Sequence, residues 1–353
     1  MVFSKYLLTI PYCAVWHLLK LLNKLEPMVF YCGDPLDHFV FAPVLKHLGI
    51  VTYVADKKAA KEFLQGHGIK FINWPAFPEV VIMARHSTHK FPCSAIIKIG
   101  MRHGAYHFKR MTSSASYNEF DLYLMTSEQD VQVGHSHGVK SAQAVGFPKL
   151  DPAFDNTIND GVLDELKSRL NHDPAKPTVL FTATYDASGM SAIGMWHDKL
   201  SGLTNKYNVL VTTHPWIDKI YKQTIKQTPD VYLIDDYDIL PYIKIADVVV
   251  GDTSSILAES CALDKPMITF EINKAKRSLD EIDILIKSIS YRVSGFDQLS
   301  GTIEHALAHK TELAEARAQA NQIFFDKLDG KAGERAAAEI IKLLQARGKN
   351  ELV

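Results

Sequence analysis

Residues 246–270, Ala-Asp-Val-Val-Val-Gly-Asp-Thr-Ser-Ser-Ile-Leu-Ala-Glu-Ser-Cys-Ala-Leu-Asp-Lys-Pro-Met-Ile-Thr-Phe, constrain the fold more than any other stretch. Val248, Val249 and Val250 form a β-branched run that Gly251 ends. Asp252, Thr253 and Ser254 are residue types that start helices, and Ile256, Leu257 and Cys261 then fall at helical spacing. Lys265-Pro266 stops that helix before the apolar run 267–270. The pattern is strand, polar turn, short helix, strand. A hydroxyl-rich turn at the carboxyl end of a strand leaves backbone N–H groups open, which suits a phosphate. Glu259, four residues after Ser255, sits about one helical turn on and can accept hydrogen bonds from a ribose. The same turn also fits an ordinary capped helix without a ligand, and by itself it does not separate the two.

The unit is one of a series. Residues 28–32 read as a strand ending in Gly33-Asp34, 37–48 as a helix, 52–55 as a strand and 57–65 as a helix. Further strands are expected at 79–83, 95–99, 120–125 and 142–145, with a helix at 128–137. A polar stretch, 155–177, carries a helix at 162–170 that Pro174 and Pro177 close. Strands then resume at 178–184, 208–212 and 231–234, and after Phe296 the chain turns helical. Strands alternating with helices predict α/β architecture with parallel sheets and βαβ crossovers. No repeat of 20 to 50 residues is present, which excludes a solenoid. The 353 residues suffice for two cores. The expected plan is a helix at 1–25, Rossmann-like domains at 26–155 and 176–330 facing each other across a cleft, and a C-terminal helix at 331–353.

Composition narrows the partners. Lys+Arg 39 against Asp+Glu 40 provides no electrostatic footprint for nucleic acid. Cys13, Cys32, Cys93 and Cys261 are scattered without a CxxC pair, which predicts free thiols in a reducing compartment. No apolar run is long enough to span a bilayer, and no leader with a cleavage site is evident. The start of the chain is apolar from 6 to 25, with Lys5, Lys20 and Lys24, and Pro11 is expected to interrupt it. Val15, Leu18, Leu19, Leu22 and Leu25 line one face. That face suits either a membrane surface or the body of the protein.

Fifteen histidines invite a metal reading, but His86/His89, His103/His107 and His135/His137 lack a third ligand at a recognised spacing. No metal and no cofactor is expected. Asp236-Tyr237-Asp238 resembles a nucleotide–metal DxD, yet it directly precedes an apolar helical stretch, where acids favour a helix start. Two histidines carry more weight. His103, in Arg102-His103-Gly104, follows an apolar strand, and ligands collect at strand carboxyl ends in open α/β sheets. Gly104 permits close backbone approach, and an imidazole near neutral suits a general base. His214, before Pro215, occupies the corresponding position in the second half. Taken singly, each fits a polar loop residue better than a catalyst.

Taken together, Arg102-His103-Gly104, Gly146-Phe-Pro-Lys-Leu-Asp151, His214-Pro215, Gly251-Asp-Thr-Ser-Ser255 and Asp329-Gly-Lys-Ala-Gly-Glu-Arg335 resemble the CDP-glycerol glycerophosphotransferase family. Its members are the teichoic-acid primases and polymerases and their capsule relatives. The resemblance runs from about residue 95 to 340. It implies a GT-B fold and transfer of glycerol phosphate from CDP-glycerol to an acceptor hydroxyl, with release of CMP. Carried over, His103 is the base on the acceptor, and His214, Ser254 and Ser255, after Thr253, hold the pyrophosphate. Glu259 matches the ribose position, and Arg335 adds positive charge near the phosphates. The family does not depend on a tightly bound metal. Three departures stand out. Arg102 replaces an aromatic residue, Ala105-Tyr-His-Phe-Lys109 replaces Thr-Pro-Leu-Lys, and the serine pair follows Asp-Thr instead of Asp-Tyr. Arg102 and Gly104 are therefore assigned to the acceptor, with Arg102 expected on an anionic, glycan or lipid-linked one.

The alternative is a GT-B glycosyltransferase, or a 2-epimerase-like enzyme, using a UDP-sugar, because that class also carries a Gly-Asp-Ser/Thr-Ser turn with a downstream Glu. A nucleotide-binding scaffold without turnover is a third reading. The expected location is cytoplasmic, peripheral on the inner face of the cell membrane.

Overall fold

Each of the two strand series becomes its own parallel sheet. The computed structural model describes residues 2–104, 113–272 and 280–352, which divide into two units. The first unit gathers residues 2–103, 113–151 and 328–352; the second gathers Gly104, 152–272 and 280–327.

The first unit holds β1 (Glu26–Tyr31), β2 (Thr52–Ala55), β3 (Phe71–Asn73), β4 (Pro78–Met83), β5 (Ile97–Met101), β6 (Leu122–Met125) and β7 (Ala142–Ala144). Their order is β3-β2-β1-β4-β5-β6-β7, with parallel pairing throughout. The second holds β8 (Thr178–Ala183), β9 (Asn208–Thr213), β10 (Val231–Leu233), β11 (Val248–Gly251), β12 (Met267–Phe270) and β13 (Tyr291–Val293). Their order is β10-β9-β8-β11-β12-β13, also parallel. In both, the chain starts mid-sheet, steps outward, crosses back and steps outward the other way. The reversal falls between β1 and β4 in one unit and between β8 and β11 in the other. Ligands of doubly wound sheets collect at that switch point, beyond the strand carboxyl ends.

Burial explains why the central strands read as unbroken apolar runs. Val29, Phe30, Val80, Val81 and Ile82 in β1 and β4 are fully buried, as parallel strands covered on both faces must be. Phe181, Val250, Trp196 and Ile303 centre the second core. Gly251 is required where β11 ends, since a Cβ there would lie 2.8 Å from the Thr182 methyl.

The helix Val2–Leu21 runs through Pro11, which therefore does not interrupt it. A proline removes one helical hydrogen bond. Here Tyr12 donates to the Ala76 carbonyl at 2.5 Å and the Trp16 indole to the Pro78 carbonyl at 2.7 Å, pinning one face of the helix to the first unit. The opposite face leaves Ile10, Leu18, Leu21 and Leu22 exposed. The expectation that this helix packs on the body of the protein thus holds for the face that carries Tyr12 and Trp16. Among the described residues, no helix is long and apolar enough to cross a membrane.

The C-terminal helix, Ala332–Ala346, belongs to the first unit. Asp151, buried at the end of the Gly146–Asp151 motif, accepts from the Ala332 N–H at 3.0 Å and the Gly333 N–H at 2.6 Å, capping that helix. A Cβ on Gly333 would fall 2.2 Å from the Pro43 carbonyl oxygen, so only glycine fits. Two motifs distant in sequence therefore form one structural clamp.

Candidate functional site

The turn after β11 is organised by Asp252, which is 1% exposed. Its carboxylate accepts from the Thr184 N–H at 3.1 Å, the Ala192 N–H at 3.0 Å, the Thr253 N–H at 2.5 Å and the Ser254 N–H at 3.0 Å. Charge-assisted bonds of this kind are strong, and they tie the end of β8, the loop to Ala192 and the turn into one rigid body. Thr182 donates its hydroxyl to Ser254 Oγ at 3.1 Å, and the Thr253 hydroxyl donates to the Met190 carbonyl at 3.3 Å.

This arrangement corrects the expectation that the turn's backbone N–H groups are open. The Thr253 and Ser254 amides are taken by Asp252, and the Ser254 hydroxyl is buried against Thr182. Ser255 differs. It is half-buried, and neither its N–H nor its hydroxyl makes a hydrogen bond among the described residues. Glu259 lies on the helix Ile256–Ala262 at 1% exposure, beneath the surface. Gly104, grouped with this unit, would place a Cβ 3.5 Å from the Ser255 side chain.

Two strands from β11, β9 ends at Thr213 and delivers His214. The Trp216 N–H donates to His214 Nδ1 at 3.1 Å. A backbone N–H can only donate, so Nδ1 is the acceptor, and the neutral ring carries its hydrogen on Nε2. Tyr185, just beyond β8, lies 5.4 Å from the His214 ring and 6.0 Å from that of Trp216, and Trp216 is 74% exposed. In the order β9-β8-β11, His214 and the Asp252 turn flank the strand at the switch point. Tyr185 and Trp216 were not singled out in the sequence, although both adjoin strand ends.

In the first unit, β5 delivers Arg102, half-buried, and His103, exposed. The Arg102 guanidinium lies 5.9 Å over the Tyr117 ring and hydrogen-bonds Tyr123. His86, beyond β4, joins this cluster, with Nε2 3.3 Å from the Tyr123 hydroxyl and the two rings stacked at 5.3 Å. Burial, then the Arg102 charge, pushes the His86 imidazole below its ordinary value. His86 is therefore a neutral support under Arg102. Sequence reading treated it only as a candidate metal partner of His89, although its place beyond a strand end was the same signal that marked His103.

The first unit's own switch point is filled with acid. Asp34 caps the helix Pro35–Leu45, accepting from the Leu36 N–H at 3.1 Å. Buried Asp37 accepts from the Gly33 N–H at 3.0 Å and from Arg85 Nε at 2.8 Å. Burial, against the pull of Arg85, pushes the Asp37 carboxyl up to about 6.

Arg335 lies in the first unit's clamp. Its Nε donates to the Val145 carbonyl at 2.9 Å and its Nη1 to both Asp329 oxygens at 2.9 and 2.8 Å. Its Nη2 is buried without a hydrogen-bond partner among the described residues. Asp236 accepts from Arg169 at 2.7 Å and from Tyr242, while Asp238 accepts from the Leu240 N–H at 3.1 Å, so both acids serve the fold. None of the close histidine pairs noted in the sequence belongs to a three-ligand group among the described residues, and His107 lies outside them.

Comparison with known proteins identifies the family and the fold. Residues 89–342 match the family model described as CDP-Glycerol:Poly(glycerophosphate) glycerophosphotransferase. A teichoic acid poly(ribitol-phosphate) polymerase of Bacillus spizizenii is 23% identical over 236 residues, covering 62% of this chain and 37% of the relative. This chain thus spans little more than a third of that protein's length. Among solved structures, the wall teichoic acid polymerase TagF, as an H444N variant, superposes with TM-score 0.70 at 14% identity, over 99% of this chain and 98% of that one. A UDP-GlcNAc 2-epimerase from Neisseria meningitidis, bound to UDP-GlcNAc, gives TM-score 0.60 at 13% identity, over 90% and 100%. The fold is α/β of the GT-B type.

Proposed function

The chain belongs to the CDP-glycerol:poly(glycerophosphate) glycerophosphotransferase family, and from that membership we propose that it transfers an alditol-phosphate unit from a CDP-activated donor to a hydroxyl of a glycan or lipid-linked acceptor in cell-surface polymer synthesis. The acceptor oxygen attacks the phosphorus that bears the alditol. The bond from that phosphorus to the CMP phosphate breaks, CMP departs, and the acceptor proton passes to His103. Phosphoryl transfer of this kind relies on positioning and on electrostatic stabilisation more than on covalent chemistry.

The observation that carries the reading is the Asp252–Ser255 turn at the second sheet's switch point, with His214 at the end of β9 on the other side of β8. His214 Nε2–H and the Ser255 N–H and hydroxyl supply donors for the pyrophosphate and for charge growing on CMP. Thr253 and Ser254 shape the turn through Met190 and Thr182. Following the family resemblance, Glu259 is assigned to the ribose and Arg335 to the donor phosphates. Arg102 and Gly104 are assigned to the acceptor, with Arg102 held by Tyr117 and Tyr123.

The test is nucleotide release. The protein is incubated with CDP-glycerol, CDP-ribitol and UDP-sugars, with and without crude lipid-linked or oligosaccharide acceptor. CDP-ribitol belongs in the panel because the Bacillus relative is named for ribitol phosphate. Acceptor-dependent CMP is expected, reduced about 10²- to 10⁴-fold in His103→Ala, as loss of a general base predicts. UDP release would instead favour sugar transfer, and CMP release untouched by His103→Ala would remove the base.

Attachment to the inner membrane face is part of the same proposal. Exposed Ile10, Leu18, Leu21 and Leu22, with Lys20 and Lys24 nearby, suit a lipid surface. Because Tyr12 and Trp16 anchor this helix, deleting it would expose the first core, so the Leu18→Asp/Leu22→Asp pair is the cleaner probe. Sedimentation with anionic liposomes should fall in that variant; unchanged sedimentation would reject the attachment.

A further inference from the structure

We propose that the second unit carries a surface site for a divalent transition-metal ion of the zinc, nickel and copper class, built from His305, His309 and Glu312. The spacing comes first. His305 lies in the helix Leu299–Ala308 and His309 follows four residues later, so both imidazoles stand on one face. Their rings stack at 4.2 Å and 24°. One ligand atom from each of the three residues falls within 4.8 Å of the other two, and His305 Nε2–H donates to Glu312 Oε2 at 2.9 Å, a hydrogen that a bound ion replaces.

The surroundings aim these atoms. His309 Nδ1 is 3.0 Å from the His305 carbonyl, which can only accept. Nδ1 therefore carries the hydrogen, and Nε2 presents a lone pair, the tautomer a metal needs. The Tyr291 hydroxyl donates to Glu312 Oε2 at 2.9 Å, orienting the carboxylate. The turn between the ligands is fixed by the Glu312 N–H on the His309 carbonyl at 3.0 Å and by buried Arg317, whose Nη2 donates to the Lys310 carbonyl at 2.9 Å. The Lys310 ammonium is 2.9 Å from Asp247 and so is engaged elsewhere.

Two imidazoles and one carboxylate favour borderline ions over magnesium or calcium, which prefer oxygen-rich sites. The His305 and Glu312 side chains are 45% and 48% exposed, which leaves room for water as a further ligand. Tyr291 opens β13, which runs parallel to β12 and β11. The cluster therefore sits at the amino edge of the sheet, whereas the Asp252 turn lies at its carboxyl edge. An ion here acts on the fold of the second unit and takes no part in transfer.

The test is calorimetric titration of the full chain, made without a polyhistidine tag, with zinc chloride. One ion per chain is expected, bound at least about ten-fold more weakly by His309→Gln and by Glu312→Gln. Zinc should also raise the Tm of the parent protein and of neither variant, and magnesium should raise it in none. All three side chains are exposed, so the variants keep the parent's Tm in chelator. Zinc that binds both variants as tightly as the parent, or does not bind the parent at millimolar ion, overturns the proposal.

Discussion

The two switch points share a sheet order and a buried aspartate but are put to different use. In the second unit, Asp252 accepts from four backbone N–H groups, and hydroxyls crowd the turn around it. In the first, Asp37 shares its carboxylate between one N–H and the Arg85 guanidinium, with Asp34 alongside. The one presents hydroxyl and amide donors from Ser255; the other presents carboxylates that would repel a phosphate. A doubly wound sheet does not make an anion site by topology alone. The residues closing the turn decide it.

Removing the aspartates should break this comparison most sharply. Asp252→Ala strands the amides of Thr184, Ala192, Thr253 and Ser254, and each unsatisfied buried group costs about 1–3 kcal/mol. Water entering the gap recovers part of that, so we expect a loss of about 3–5 kcal/mol in denaturant unfolding, together with loss of donor binding. A variant that binds donor normally and melts like the parent would show that the turn does not depend on Asp252.

How much of this was legible in the sequence depends on distance along the chain. The inner strands were visible because β-branched runs mark them; 52–55 and 267–270 match β2 and β12 residue for residue. The edge strands β3 and β13 were missed. Each has three residues, and neither Phe-Ile-Asn nor Tyr-Arg-Val is buried enough to show a pattern. β5 was expected at 95–99 but runs Ile97–Met101. It takes in Gly100, a strand glycine whose Cβ would strike the Phe120 ring at 2.6 Å. Strand-end logic located His214 and the Asp252 turn. The bonds that define that turn were invisible, since Thr184 and Ala192 lie 68 and 60 residues from Asp252. Arg335 was expected to add positive charge near the phosphates, when the Val145 carbonyl, 190 residues away, takes its Nε and Asp329, 6 residues away, its Nη1.

Titration separates the two aspartates further. Burial raises the Asp37 carboxyl from 3.8 to about 6, so its protonated form is favoured in the fold. Stability from this group is fully present below about pH 4 and is lost as pH rises through about 6. The whole excursion is worth about 3 kcal/mol at 1.36 kcal/mol per pH unit. Asp37→Asn removes that slope. The difference in unfolding free energy, variant minus parent, should therefore climb by about 2–3 kcal/mol between pH 4 and pH 7, read from denaturant melts at each pH. A flat difference would mean that Arg85 holds Asp37 ionised throughout.

The smallest effect divides the serine pair that the sequence treated as one. Ser254 is buried and accepts the Thr182 hydroxyl, so Ser254→Ala leaves that donor unpaired and should lower stability by about 1–2 kcal/mol. The Ser255 side chain makes no hydrogen bond among the described residues, and its carbonyl keeps the Ala258 N–H, so Ser255→Ala should leave the Tm in place. Its cost should appear in donor binding alone, a few-fold rise in Kd for the CDP-alditol, as one neutral hydrogen bond of about 1 kcal/mol predicts. Titrating both variants with donor and melting both without it reads the two effects independently. If Ser254→Ala weakens donor binding at unchanged Tm while Ser255→Ala does nothing, the phosphate meets the other face of the turn, and the contrast between the two switch points rests on Asp252 alone.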